Sequence, residues 1–128
     1  MPPERGSPAD WLGHAKSDLA LAKSRGVPGV LLEMLCFHAQ QAVEKSLKAV
    51  LTAKGVDAPR THNLTVLASL LPSALKPPAE VLAAATLTDY AVVTRYPGEY
   101  EPVSEEEYRE AVRMAESVVA WAERSLAD

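Results

Sequence analysis

Apolar residues recur every three or four positions over most of this chain, the spacing of amphipathic helices. Ser7-Pro8-Ala9-Asp10 reads as a helix start, with Ser7 as N-cap and Pro8 in the first turn. Trp11, Ala15, Leu19 and Ala22 then share one stripe, and Gly26, Pro28 and Gly29 end the element. From Val30 to Lys54 there is neither Gly nor Pro. Leu32, Cys36, Ala39, Val43, Leu47 and Val50 keep one face of that long helix, and Gly55 is its natural terminator. Residues 57–63 read as a loop, after which Thr61 or Asn63 caps a short helix carrying Leu64, Leu67, Leu70 and Leu71. Pro72 stops it. A fourth helix runs from about Ala79 to Val93, with Leu82, Ala85 and Val93 among its buried residues. Ser104 and Glu107 form a capping box for the last helix, whose stripe is Tyr108, Val112, Ala115, Val119 and Ala122. The predicted fold is all-α: an antiparallel four-helix up-and-down bundle with a short additional helix, five helices in total.

Composition agrees with that pattern. The chain holds 21 Ala, 16 Leu and 13 Val but no Ile and one Phe, and Ala and Leu are strong helix formers. Its 128 residues suit one domain spanning 1–128, with a core over about 8–126. One cysteine, Cys36, excludes a disulfide framework and a multi-cysteine zinc site. No stretch approaches a continuous apolar span, and the opening MPPERGSPAD is polar and Pro-rich. The expected compartment is the cytoplasm.

The second helix carries a second face. At about 100° per residue, His38, Gln41 and Lys45 fall close together and away from the apolar stripe, with Lys48 slightly further round. An imidazole, an amide and ammonium groups all donate hydrogen bonds, so the set suits a phosphate or a base edge. The plainer reading is a solvated face with Glu44–Lys48 as an i,i+4 pair. His62, between Thr61 and Asn63, either binds a ligand or pins its loop to the bundle. Arg95-Tyr96-Pro97 either closes the fourth helix or, with Tyr90 and Tyr100 nearby, offers a cationic and aromatic platform. Metal and cofactor sites lack support: His14, His38 and His62 are scattered, and no HExxH pair, Walker loop, GxGxxG or GxSxG occurs. Trp11 and Trp121 lie near opposite chain ends, and Met34 and Phe37 sit off the main stripe, a set that suits a partner surface.

These residues carry a family resemblance. Cys36-Phe37-His38-Ala39-Gln40-Gln41-Ala42-Val43-Glu44-Lys45-Ser46-Leu47-Lys48-Ala49 resembles the second-helix signature of HEPN domains. Thr61-His62-Asn63-Leu64 resembles the family's loop motif, and Arg95-Tyr96-Pro97 its late motif. The Trp11, Ala15 and Asp18-Leu19 opening is also similar. The resemblance implies a helical bundle that forms homodimers, binds a nucleotide or short RNA, and works beside a minimal nucleotidyltransferase in a toxin–antitoxin-like pair. The residues it points to are His38, Gln41, Lys45, Lys48, His62, Arg95 and Tyr96. Catalytic members are metal-independent RNases with an Arg followed, four to six residues later, by His. No His follows His62 here, so the reading leans toward a protein without catalysis. The alternatives are an RNase toxin with a divergent site and a purely structural interaction module.

The formal charge of −4 argues against a broad grip on long nucleic acid. Residues 104–128 hold seven acids and three Arg, however, which accounts for all of it. Residues 10–64 hold five acids, seven bases and the three His. The second-helix region is therefore locally basic, which leaves room for one phosphate at a small site.

Overall fold

The computed structural model describes residues 2–91 and 102–127. Helix α1 spans Pro8–Ala22 and starts where the Ser7 hydroxyl accepts the Asp10 amide. Helix α2 spans Leu32–Ala53 and ends before Gly55, whose φ of +74° is the left-handed turn that favours glycine. Asn63 caps the short α3, Leu64–Ser69, by accepting from Thr65 and Val66 amides. Helix α4, Ala79–Ala83, continues as a 3-10 segment over Ala84–Ala91. Helix α5, Glu105–Ala127, starts at the expected capping box: Ser104 Oγ accepts from the Glu107 amide at 3.1 Å, and Glu107 Oε1 accepts from the Ser104 amide at 3.3 Å.

Paired residues fix the helix directions. Asp18 on α1 meets His38 and Lys45 on α2, while Trp11 meets Lys48, so the two helices run antiparallel. Lys16 pairs with Glu123 at 2.8 Å, Lys23 with Glu116 at 3.4 Å, and Arg25 with Glu105, which sets α5 antiparallel to α1. Thr86 facing Met114 and Tyr90 facing Glu107 set α4 antiparallel to α5. The helices alternate up and down, as expected.

Helix α2 is the central element. Cys36, Ala39, Ala42, Val43, Leu47, Val50 and Leu51 are fully buried along it, against Ala15 and Ala22 of α1 and Ala115, Val118 and Ala122 of α5. Tyr108, at the start of α5, buries its ring and donates its hydroxyl to the Ala22 carbonyl at 2.7 Å, closing the C-terminal end of α1.

Two sequence expectations change. The fourth helix is a single α turn followed by 3-10 structure, and its buried residues are Val81, Ala84 and Leu87 rather than Leu82, which is 53% exposed. Thr86 and Thr88 donate their hydroxyls to the Ala83 and Ala85 carbonyls, in competition with backbone pairing, and the spacing of three matches the tighter helix. Thr88 Oγ1 also accepts the Leu64 amide at 3.1 Å, tying this segment to the start of α3. Val93 lies outside the described residues. Second, Trp121 is buried, and Trp11 and Phe37 are half-buried, so of the apolar groups expected on a partner surface only Met34 is exposed.

Leu47 has no solvent exposure at the centre of this core. Leu47→Ala is expected to lower stability by about 2–5 kcal/mol in urea unfolding, with an unchanged m-value.

Candidate functional site

Helix α2 brings the predicted polar residues to one side, but each is committed to a partner. His38 Nδ1 donates to Asp18 Oδ1 at 2.9 Å, and Lys45 Nζ donates to Asp18 Oδ2 at 2.6 Å. Since a carboxylate only accepts, Nδ1 of His38 must carry the proton. Asp18 is itself buried, facing α2 from the stripe of α1. The Phe37 ring meets the His38 ring edge-on, with centroids 5.3 Å apart.

A second carboxylate lies on the other flank. Glu44 is 3% exposed, and four donors converge on it. His62 Nδ1 reaches Oε1 at 2.8 Å, Lys48 Nζ reaches Oε2 at 3.0 Å, and Gln40 and Gln41 amides reach Oε1 at 3.2 and 3.4 Å. Gln40, fully buried, also donates to the His62 carbonyl at 3.2 Å and accepts from Gln41 at 2.7 Å. Burial pushes the Glu44 carboxyl up, but the hydrogen bonds from His62, Lys48 and Gln40 outweigh it together, and the group titrates below the usual carboxylate range. Lys48 also lies 5.4 Å from the centre of the Trp11 ring, an attractive arrangement for an ammonium.

The predicted pairing of Glu44 with Lys48 is present, but not on a solvated face: both side chains are buried, within reach of Trp11 and the His62 loop. His62 pins its loop to α2 while its side chain stays 69% exposed. Arg95 and Tyr96, expected beside this set, lie outside the described residues, as does Tyr100. Asp18, Gln40 and Glu44 are the members that sequence reasoning left out of the site. Their signal was position: Asp18 interrupts the stripe of Ala15 and Ala22, and Glu44 sits next to Val43, where a charged residue needs a buried partner.

These contacts place α2 between two walls. About the helix axis, Gln41 lies between the His38–Lys45 edge, backed by Asp18, and the Gln40–Glu44 edge, backed by His62. Gln41 is half-buried between the two edges, each of which carries an imidazole. Among the described residues, Ser46 Oγ is the only buried side-chain polar atom without a hydrogen bond, so the network itself is saturated. A separate cavity of about 400 Å³ lies between the 3-10 segment and α5, lined by Leu87, Tyr90, Glu107, Glu110, Ala111 and Met114. It contains none of the α2 polar residues, and its glutamates repel phosphate. Among the described residues, no group of three or more His, Cys, Asp or Glu is placed to hold a metal ion. No described helix is long and apolar enough to cross a membrane.

Fold and polar network together define an α-helical domain organised around a polar second-helix face and a His-bearing loop. The HEPN domain family model matches residues 8–125, and the chain belongs to that family. Protein TT1696 from Thermus thermophilus is 32% identical to it, with a TM-score of 0.78 over 93% of this chain and 98% of that one. ST0689, described as an archaeal HEPN homologue, is 28% identical, with a TM-score of 0.71 over 94% and 98%. Among curated proteins, none matches the chain.

The lowered Glu44 titration gives a pH dependence. A carboxyl depressed in the folded state stabilises the fold above its unfolded pKa, about 4.3, and that contribution disappears as pH falls through the lower folded value. Glu44→Gln is expected to cost about 3 kcal/mol at neutral pH, because the Lys48 ammonium stays buried without its counter-charge. The difference between variant and native protein should shrink below about pH 4. Urea unfolding at a series of pH values measures both; a pH-independent difference would contradict the assignment.

Proposed function

We propose that this HEPN domain binds a nucleotide in the α2 slot and acts in the cytoplasm beside a minimal nucleotidyltransferase, as one half of a toxin–antitoxin-like pair, without catalysing a reaction itself. The observation that carries this reading is the slot, the strip of α2 surface between its two hydrogen-bonded edges: positioned donors on either side with the Gln41 side chain between them. Lys45, His38 and the exposed His62 face a phosphate, and Gln41, whose Nε2 donates to Gln40 and Glu44, presents its amide oxygen to a base edge. Lys48 supports Glu44 from beneath. Arg95 and Tyr96 are assigned to phosphate and base by their motif alone. Titration calorimetry with ATP, GTP and short RNAs tests the reading. Binding tighter than about 1 mM is expected, with Lys45→Ala weakening it about tenfold or more. No binding by native protein rejects it.

Leu21, Val27, Val30, Leu31 and Met34 are exposed at the corner joining α1 to α2. Single exposed apolar residues are common, but five within one corner suit a protein contact. We assign this corner to a homodimer to which the nucleotidyltransferase binds. Sedimentation is expected to show a dimer for native protein and a monomer for the Leu31→Glu, Met34→Glu double variant. A native monomer would remove the assignment.

One observation favours an enzymatic alternative. His38 and His62 each give Nδ1 to a carboxylate, the orientation that prepares an imidazole for acid or base work. That reading requires metal-independent cleavage of RNA by the purified protein; intact RNA after long incubation excludes it.

A further inference from the structure

With both imidazoles neutral, the hydrogen-bonded network of the described residues around the α2 slot has no net charge. Asp18 and Glu44 carry two negative charges, and Lys45 and Lys48 balance them through direct contacts. A phosphate approaching this surface meets committed ammonium groups, each already held by a buried carboxylate. Added positive charge strengthens attraction to an anion, and within the network of described residues the two histidines can supply it, since imidazole is the side chain that changes charge between about pH 5 and 8.

The geometry says where each added proton goes. His38 and His62 use Nδ1 to donate to Asp18 and Glu44. A further proton therefore binds Nε2, which has no hydrogen-bond partner among the described residues, and gives that nitrogen a donor for a ligand oxygen. The charged groups facing His38 are Asp18 on α1 and Lys45 on α2. Those facing His62 are Glu44 and, through it, Lys48 on α2, with Arg60 close by in the loop. Helix α3, which follows His62, carries no ionisable residue. No other carboxylate among the described residues pairs with either imidazole.

We infer that the slot binds its phosphate group together with protons: the ligand is held by the protonated imidazoles of His38 and His62, so binding takes up protons and strengthens as pH falls. This rests on the nucleotide-binding reading and specifies its regulation. The ligand class follows from the same charges. A slot that gains up to two positive charges on Nε2 matches one phosphate group in a mononucleotide or a dinucleotide, and matches an extended polyanion poorly.

Two probes separate the inference from the reading beneath it. AMP tests whether the slot binds a mononucleotide, and ApA carries a phosphodiester that does not itself titrate near neutral pH, so any proton taken up with it belongs to the protein. Calorimetry at about pH 6 and about pH 8, in buffers of different ionisation enthalpy, counts the protons. The expected result is ApA affinity at least about tenfold higher at the lower pH, because one coupled proton changes Kd by up to about tenfold per pH unit. The heat should vary with buffer, and His38→Gln and His62→Gln should each remove about one proton from the count. Binding of either probe with equal affinity at both pH values and a buffer-independent heat overturns the proton coupling and leaves nucleotide binding standing. No binding of either probe at either pH overturns both. The native protein carries the decisive comparison, so a variant that fails to fold does not affect it.

Discussion

Two carboxylates taken out of water govern this molecule. Removing an ion from solvent costs several kcal/mol unless hydrogen bonds and counter-charges replace the lost hydration. Asp18 meets that requirement with His38 and Lys45, and in doing so fixes the register of α1 on α2. Glu44 meets it with Lys48, Gln40, Gln41 and His62, and in doing so holds the loop that leads into α3. Each carboxylate thus joins a packing contact to a surface feature. The walls of the slot follow from how the protein stabilises two charges inside a helical bundle.

This coupling has a functional side. A side chain oriented by a buried partner presents its free atoms in a fixed direction and loses little further freedom when a ligand arrives. His38 and Lys45 share one aspartate, so a change in the charge of either alters the hydrogen bonding of the other. Perturbing α1 at Asp18 therefore acts on the α2 surface without touching a ligand. The family membership and the two structural relatives place the fold; this network gives one face of it a definite chemical character.

Much of the fold was legible in the sequence because its signals are local. Ser7, Asn63, Ser104 and Gly55 each end or begin a helix through contacts within a few residues, and the stripes of α2 and α5 follow from helical spacing. Helix α4 was less legible, because Thr86 and Thr88 use their hydroxyls on nearby carbonyls and shift the segment to 3-10 structure, which apolar spacing does not report. At the site, angular position on α2 places His38 and Lys45 on one edge, where both bond Asp18, whereas Gln41 bonds Gln40 and Glu44 instead. It did not reveal that Asp18 binds two of them, since that contact crosses between helices, nor that Glu44 faces inward toward a histidine 18 residues away. Trp121 was misjudged for the same reason: its burial comes from neighbouring helices rather than from its place near the chain end.

The ladder from α1 to α5 bears on the handedness of the bundle. Around α1, Lys16 and Lys23 occupy one flank and Asp10, His14 and Asp18 the other. Glu116 and Glu123 of α5 take the basic flank, and α2 takes the flank bearing Asp18. A bundle wound in the mirror-image order would exchange the two neighbours of α1. It would set the α5 glutamates against Asp10 and Asp18, and the α2 lysines against Lys16 and Lys23. Each exposed pair contributes only about 0–1 kcal/mol to the native form, but all of them become repulsions in the competitor. The acidity of the last helix, which first read as an obstacle to phosphate, selects which way the chain turns.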